Sequence, residues 1–347
     1  MTKTVLILGG SYAGLHIAHH LLKQHLPDTK VILVSSNSHF YWNMASVRAV
    51  VTESSLPASQ LFSPLSQILS RYPPDSYELI IGTATASDLA LRTVTIDRDR
   101  RTIPYDHLVL ATGARQAAGN HPTPWKADGS YEDVLAHLRS TAEKITKASH
   151  IVVAGSGPTG CELAGEIAFD NPSRQAGKKK EVVLLGADAE ILGADPIASS
   201  VRAELTKLGV QIRTGARVES VMEVGEGKTE VVLEGGERIE TDLYLPAMGL
   251  VPNSEFVGAE YKDAEVWVLI TQKQAAGVAK NIEAVLKGKQ PSVVKGMPFD
   301  IFTCATGRSR AAGRLGAVKM LSIMAWMGKG RYLGLNYMGG YVDGSVA

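Results

Sequence analysis

Three glycines, Gly155, Gly157 and Gly160, carry the most specific chemistry in this 347-residue chain. The apolar run Ile151-Val-Val-Ala154 leads into them, and a helix pattern with Leu163 and Ile167 four residues apart follows. Strand, Gly-x-Gly-x-x-Gly and helix in that order suit a pyrophosphate. The first glycine makes a tight turn, the second lets backbone approach the phosphates, and the third lets the helix pack close to the strand. The helix start, including Pro158 and Thr159, then offers unpaired N–H groups and a partial positive charge.

Residues 4–34 repeat this logic. Strand 4–8 meets Gly9, Gly10, Ser11, Tyr12, Ala13 and Gly14, then a helix with Leu15, Ala18, Leu21 and Leu22 on one face, then strand Val31–Val34. Ser11 replaces the middle glycine. Ser35 stands where an acidic residue usually takes ribose hydroxyls. A neutral contact there is worth about 1 kcal/mol against about 1.5–3 kcal/mol for a charged one, so binding is weakened and not abolished. His16, His19, His20 and His25 read as a solvated polar face of the helix, with no ligand geometry for a metal.

The elements that must position these cradles follow in order. Pro57 to Tyr72 is a Pro-started segment, and strands are expected near 79–81, 84–88 and 94–96. The apolar run 107–110 then ends in Ala111-Thr112-Gly113, where small residues allow a tight exit beside a bound cofactor. A helix over 131–147 leads into the second fingerprint. Strand 181–185, helix 197–208, strand 210–213 and a hairpin at 216–233 complete a second βαβ domain inserted into the first. Gly186-Ala-Asp188 offers neither a well-placed acid nor an arginine, so the choice of NADH or NADPH is unreadable. Thr241 to Asn253 returns the chain to the first domain.

Bulk properties agree. The length implies about two domains. A net charge of +1 argues against a nucleic-acid partner. The two cysteines, Cys161 and Cys304, cannot build a disulfide framework, a thiol metal site or a Cys-x-x-Cys redox pair, and Cys161 reads as a small buried residue. Val5–Leu8 is too short for a signal peptide, Thr2 excludes N-myristoylation, and no run reaches the ~18 apolar residues of a membrane span. The expected address is cytoplasmic, with peripheral membrane contact as an addition. That addition comes from the C-terminal part. Arg308, Arg310, Arg314, Lys319, Lys329 and Arg331 flank an apolar series from Leu315 to Met327. It reads either as an amphipathic helix on a membrane surface or as a Met-rich core or homodimer-contact helix.

Two fingerprints, Ala111-Thr-Gly113 between them and the return run Gly249-Leu-Val-Pro-Asn253 resemble the two-dinucleotide-domain flavoprotein reductases. Within these the chain is similar to the apoptosis-inducing-factor-like, ferroptosis-suppressor-like branch. His39-Phe-Tyr-Trp-Asn43 with Ala45 to Arg48, and Thr306 to Arg310 with Gly313 to Lys319, resemble fungal members. The resemblance implies an α/β fold of two Rossmann-like dinucleotide-binding domains, glutathione-reductase-like, with a C-terminal α/β extension. The expected boundaries are 1–118 for the FAD-binding domain, 119–242 for the inserted NAD(P)H-binding domain, 243–290 for the rest of the first domain and 291–347 for the C-terminal segment. It implies FAD held by Gly9 to Gly14 and Ser35, with Arg48 near the phosphate pair, the Ala84 backbone at the adenine, and Thr112 and Gly113 at the exit. It implies NAD(P)H on Gly155, Gly157, Pro158, Thr159 and Gly160. Glu162 matches an acidic residue facing nicotinamide and flavin; on its own it also reads as a helix-start carboxylate favoured by the dipole.

One departure stands out. The branch continues after Pro-Asn to a strand ending in Gly-Asp, whose aspartate bonds the FAD ribitol. Here a short link runs to Glu265–Ile270 and then to Thr271–Asn281, which resembles the helix well past that point. The aspartate is missing with roughly twenty residues around it, large against ordinary loop lengths. Losing one charged hydrogen bond costs about 1.5–3 kcal/mol, or about 10–100-fold in affinity. Either coding sequence is lost there or FAD binding is altered. Three readings follow: an NAD(P)H:quinone-type reductase, a flavin oxidoreductase of a specialised metabolite pathway, or a non-catalytic NAD(P)-binding protein that has lost FAD.

Overall fold

The computed structural model describes residues 2–51, 56–116, 123–126, 129–169, 180–225, 227–258, 271–294 and 300–347. One plan occurs twice. In the first domain four parallel strands lie in the order Tyr77–Ile81, Thr29–Ser35, Lys3–Leu8, His107–Leu110. In the second the order is Gln211–Arg213, Glu181–Leu185, His150–Ala154, Leu243–Pro246, also parallel. Each sheet is accompanied by a three-stranded antiparallel meander that follows one edge strand along the chain, 84–104 after Tyr77–Ile81 in one and 218–241 after Gln211–Arg213 in the other.

Both faces of each sheet are covered, which is why its central strands are continuous apolar runs rather than alternating ones. Val5 and Ile7 face the cradle helix α1 (Tyr12–Lys23), while Leu6 and Leu8 pack against Val94, Ile96 and Ile103 of the meander. In the second domain Ile151 and Val153 join the main core, and Val152 meets Val231 and Leu233. Helix α2 (Tyr131–Lys147) has the expected bounds and starts with a capping box, in which Asp133 N–H donates to Ser130 Oγ and Ser130 N–H donates to Asp133 Oδ2. Helix α3 (Pro158–Phe169) follows the second fingerprint, and α4 (Ala198–Leu208) the strand after it.

The exit and return runs meet. Ala114–Gln116 pairs antiparallel with Leu250–Pro252, Thr112 Oγ1 donates to the Asn253 carbonyl at 2.6 Å, and Asn253 Nδ2 donates to the Thr112 carbonyl at 3.1 Å. This two-stranded strap is the crossing between the domains. Helix α5 (Thr271–Leu286) packs Ala275 and Ala279 against Ile17 and Leu21 of α1. The stretch 259–270, where a Gly-Asp would be sought, lies outside the described residues.

Two sequence expectations are corrected. Of the four histidines only His25, past the end of α1, is exposed as expected; the three on α1 are not a solvated face. His16 and His19 are buried, and His20 Nε2 sits 2.7 Å from Glu283 Oε2 on α5. The covering elements are α5 and the C-terminal helix Met338–Asp343, both remote in sequence and invisible to local periodicity. His19 bonds the Tyr72 hydroxyl at 2.6 Å and the Tyr341 carbonyl at 2.8 Å. Burial pushes its pKa down to about 4, the Tyr341 carbonyl opposing that shift only in part. Between pH 6.5 and 4 the unfolded chain therefore binds a proton that the folded one refuses. Stability should be intact above pH 6.5 and fall as pH drops toward 4. A His19→Gln variant should show a flatter melting-temperature profile over that window, measured by calorimetry at a series of pH values.

The second correction concerns 315–327, expected as one amphipathic helix. Leu315 ends a strand (Ala311–Leu315) of a three-stranded antiparallel sheet with Ile301–Ala305 and Val318–Lys319. Gly316 at φ +55° turns the chain. Only Ser322–Ala325 and the wide turn Trp326–Gly330 are helical. The apolar spacing satisfied a helix, but the glycine and a β-branched partner strand decide otherwise.

Candidate active site

The two glycine turns have matching geometry. Gly9 and Gly155 both have φ +112°, and a Cβ on either would strike the carbonyl of Ala111 or Ala247. On Gly14 and Gly160 a Cβ would lie 1.8 Å from the carbonyl oxygens of Gly9 and Gly155. A Cβ at Gly157 would meet nothing within 4 Å. That is the open approach a pyrophosphate needs in front of a helix N-terminus. Ser11 caps α1 without a side-chain bond to its first turn, and neither α1 nor α3 has an acidic residue there. Both ends can therefore receive an anion.

The remaining first-domain residues lie around the strand ends. Ser35 is buried and its hydroxyl donates to the Asn37 carbonyl at 2.7 Å, so it approaches a ribose only as an acceptor. A cavity of about 370 Å³ lined by Ser36, Ile81, Gly82, Thr83 and Asp97 adjoins Ala84 in sequence. Its position beyond the carboxyl ends of parallel strands is where such folds take nucleosides. Gly113, at φ +66°, is also open to a side chain. Tyr12 is packed edge-on against Phe40, Trp42 and Tyr341, and its hydroxyl donates to Asn43 Oδ1 at 3.0 Å. Desolvation, with the neighbouring tyrosines, raises its pKa far above the usual range, so it stays neutral.

Glu162 and Glu166 lie one turn apart on α3, hence on one face. Both are buried. Each meets a cation from another part of the chain. Glu162 Oε1 accepts from the Ala305 N–H at 3.0 Å and lies 2.7 Å from Lys329 Nζ. Burial disfavours the charge on Lys329, but the Glu162 carboxylate outweighs it and holds the amine above its usual range. Glu166 takes Arg48 in a fork, Nε at 3.0 Å from both oxygens and Nη2 at 2.6 Å from Oε1. Desolvation raises the pKa of Glu166, while Arg48, then Arg308 at 3.8 Å, act to lower it. Arg48 also donates to the carbonyls of Gly330 and Arg331, at 2.8 and 2.7 Å. The guanidinium associated by resemblance with the FAD phosphates is thus committed to a carboxylate and two carbonyls.

The buried fork has a consequence for stability. Removing one partner of a buried ion pair costs about 3–5 kcal/mol, because the other charge remains uncompensated. Arg48→Met should therefore lower the melting temperature strongly. The double variant Arg48→Met/Glu166→Leu should recover part of the loss in the same thermal scan.

Sequence reasoning found Glu162 but missed Glu166 and Lys329. A signal for Glu166 existed. Leu163, Ala164, Gly165 and Ile167 make α3 apolar nearly all round, so a carboxylate at 166 must be buried and needs a cation. Lys329, more than 160 positions away, carries no local signal.

The doubled sheet is the feature that comparison with other proteins bears on. Residues 3–276 match the family described as pyridine nucleotide-disulphide oxidoreductase. The chain belongs to that family. FAD and NAD(P)H are the cofactors of that family, and the space in front of Gly157 leaves room for a dinucleotide pyrophosphate at the start of α3. The chain is 32% identical to the oxidoreductase ptaL of Pestalotiopsis fici, over 92% of this chain and 93% of that one. It is 26% identical to human ferroptosis suppressor protein 1, over 72% of this chain and 63% of that protein. The chain is thus an oxidoreductase that is similar to the apoptosis-inducing-factor and ferroptosis-suppressor proteins. Its fold is similar to the sulfide:quinone oxidoreductase of Aquifex aeolicus, with TM-score 0.74 at 15% identity, covering 100% of this chain and 93% of the other. No helix of the described residues is long and apolar enough to cross a membrane.

Proposed function

We propose that this chain passes reducing equivalents from NAD(P)H through FAD to a small quinone-like or aromatic acceptor. The observation that carries the reading is the ion pair between Glu162, on the second turn of the helix that follows the open Gly157, and Lys329 of the C-terminal segment. When bound, FAD supplies the hydride and electron chemistry. The chain supplies the rest. Gly155, Gly157, Pro158, Thr159 and Gly160 orient the pyrophosphate of NAD(P)H. Gly9 to Gly14, Ser35, Ala84, Thr112 and Gly113 receive FAD. Glu162 fixes the Lys329 ammonium at 2.7 Å, and a cation held there would favour a bound group that gains negative charge on accepting reducing equivalents. Arg48 holds the neighbouring carboxylate, so that Glu166 does not compete for that amine.

A second reading keeps the same chemistry and changes the acceptor to a metabolite of a specialised pathway. It draws on the match along nearly the full length to a fungal oxidoreductase. Anaerobic titration of FAD-supplemented protein tests both. A bound flavin spectrum should bleach on adding NADH or NADPH, and a quinone or the metabolite should restore it. Protein that stays colourless in excess FAD and ignores both nucleotides would leave only a flavin-free NAD(P)-binding role.

A further inference from the structure

Between Asp300 and Asp343 the chain carries Arg308, Arg310, Arg314, Lys319, Lys329 and Arg331 and no acidic residue. Three of these are neutralised by carboxylates elsewhere: Arg308 lies near Glu166, Arg314 meets Asp195 and Asp300, and Lys329 meets Glu162. Arg310, Lys319 and Arg331 make no ion pair among the described residues. The same segment concentrates exposed apolar side chains. Val318 is 71% exposed, Leu321 69% and Met327 64%, with Ile323 and Met324 more than half exposed between them. They surround Ala325, which is fully buried against the sheet, so the helical turn presents its apolar residues outward by default. Arg331 lies over the rings of Trp326 and Tyr332, at 5.7 and 4.8 Å. An exposed apolar ridge with aromatic and long basic side chains at its edge is the composition of an interfacial surface.

A cleft of about 420 Å³ opens beside the ridge, lined by Lys207, Thr306, Ser309, Arg310 and Ser322, with Glu204 already engaged by Lys207 at 2.7 Å. The buried Thr306 hydroxyl, among the residues that line it, has no hydrogen-bond partner. Cations and hydroxyls next to exposed methyl groups match one kind of occupant.

We propose that residues 310–331 dock on an anionic lipid surface, the apolar ridge entering the acyl boundary and Arg310, Lys319 and Arg331 meeting headgroup phosphates. A second copy of the chain is the competing occupant, and charge decides against it. A two-fold contact sets the same patch against itself. It would oppose three cations that make no ion pair among the described residues to three more, with no carboxylate in the sequence between 301 and 342 to separate them. A bilayer rich in acidic phospholipid is complementary in both charge and hydrophobicity. The surface lies outside the glycine turns, and the proposal stands whether or not the acceptor reading holds.

Flotation of full-length protein with vesicles tests it. Binding is expected to phosphatidylcholine mixed with phosphatidylglycerol, to weaken with added salt, and to be lost on phosphatidylcholine alone. The exposed triple variant Leu321→Ser/Met324→Ser/Met327→Ser should lose vesicle binding while its melting temperature and its NAD(P)H oxidation with a soluble acceptor stay unchanged. Arg310→Ala/Lys319→Ala should lower partitioning about 25-fold, since each cation near such a surface is worth about fivefold. Equal binding to both vesicle types, no binding to either, or undiminished binding by the triple variant would each overturn the proposal. So would sedimentation velocity showing a dimer that the triple variant splits. Failure of NAD(P)H oxidation with a soluble acceptor would instead count against the reductase reading and leave the lipid result to be judged by flotation alone.

Discussion

Replacing Glu162 by Gln should lower kcat about 100-fold while leaving the bound-flavin spectrum and the NAD(P)H dissociation constant nearly unchanged. The magnitude is that of removing one preorganised electrostatic group from a site where charge develops. Glutamine keeps the shape and can still accept from the Ala305 N–H, but it no longer fixes an ammonium 2.7 Å away. The pH profile separates this role from a merely structural one. In the native chain burial works against the Lys329 charge, and the Glu162 carboxylate overrides it and raises the pKa. With glutamine at 162 only the burial effect and weaker dipoles remain, so the amine should lose its proton at lower pH. The alkaline limb of kcat should then move to lower pH in Glu162→Gln and disappear in Lys329→Met. Lys329→Arg should restore much of the rate, because a guanidinium keeps the charge at all accessible pH. A stopped-flow measurement of flavin reduction between pH 6 and 11 reads all three, the native profile staying flat through the ordinary lysine range while the Glu162→Gln limb enters it. If Glu162→Gln keeps the native rate and profile, the ion pair belongs to packing alone and the proposed site loses its centre.

That site was only half legible in the sequence. The glycine turns declared themselves because their requirements are local: strand, turn and helix follow one another within twenty residues, and no distant partner is needed. The Ala111-Thr-Gly113 and Gly249 to Asn253 runs were likewise readable, although their direct pairing across more than 130 positions was not. What failed were features set by contacts remote along the chain. His19 sits on a helix whose polar spacing suggests solvent, yet the carbonyl of Tyr341, 322 residues on, is its partner. Arg48 and Glu166 are 118 residues apart and become a unit only when α3 packs against the short helix Ser46–Ala49. The C-terminal apolar run fitted a helical period, but a two-residue turn at Gly316 and backbone pairing with Arg314 and Leu315 fold part of it into a sheet. Periodicity reports which side chains seek burial, and it cannot report which surface will cover them.

The second large effect separates two glycines three positions apart. Gly157→Ala should fold with stability within about 0.5 kcal/mol of the native chain, because its Cβ would enter empty space and its φ is not in the left-handed region. The same methyl group would occupy the path by which a pyrophosphate reaches the α3 N-terminus. The NAD(P)H dissociation constant should therefore rise by about tenfold or more, equivalent to about 1.4 kcal/mol. Gly160→Ala should do the reverse. A Cβ there lies 1.8 Å from the Gly155 carbonyl, which is itself fixed by the strand, so neither partner can yield cheaply. Overpacking of backbone against backbone should cost about 3 kcal/mol or more and lower the melting temperature by about 6–12 °C. Isothermal titration with NADH and NADPH beside thermal denaturation of both variants distinguishes the outcomes. A Gly157→Ala protein that binds both nucleotides as tightly as the native chain would mean the pyrophosphate does not lie over this turn, and the second domain would then have no assigned ligand.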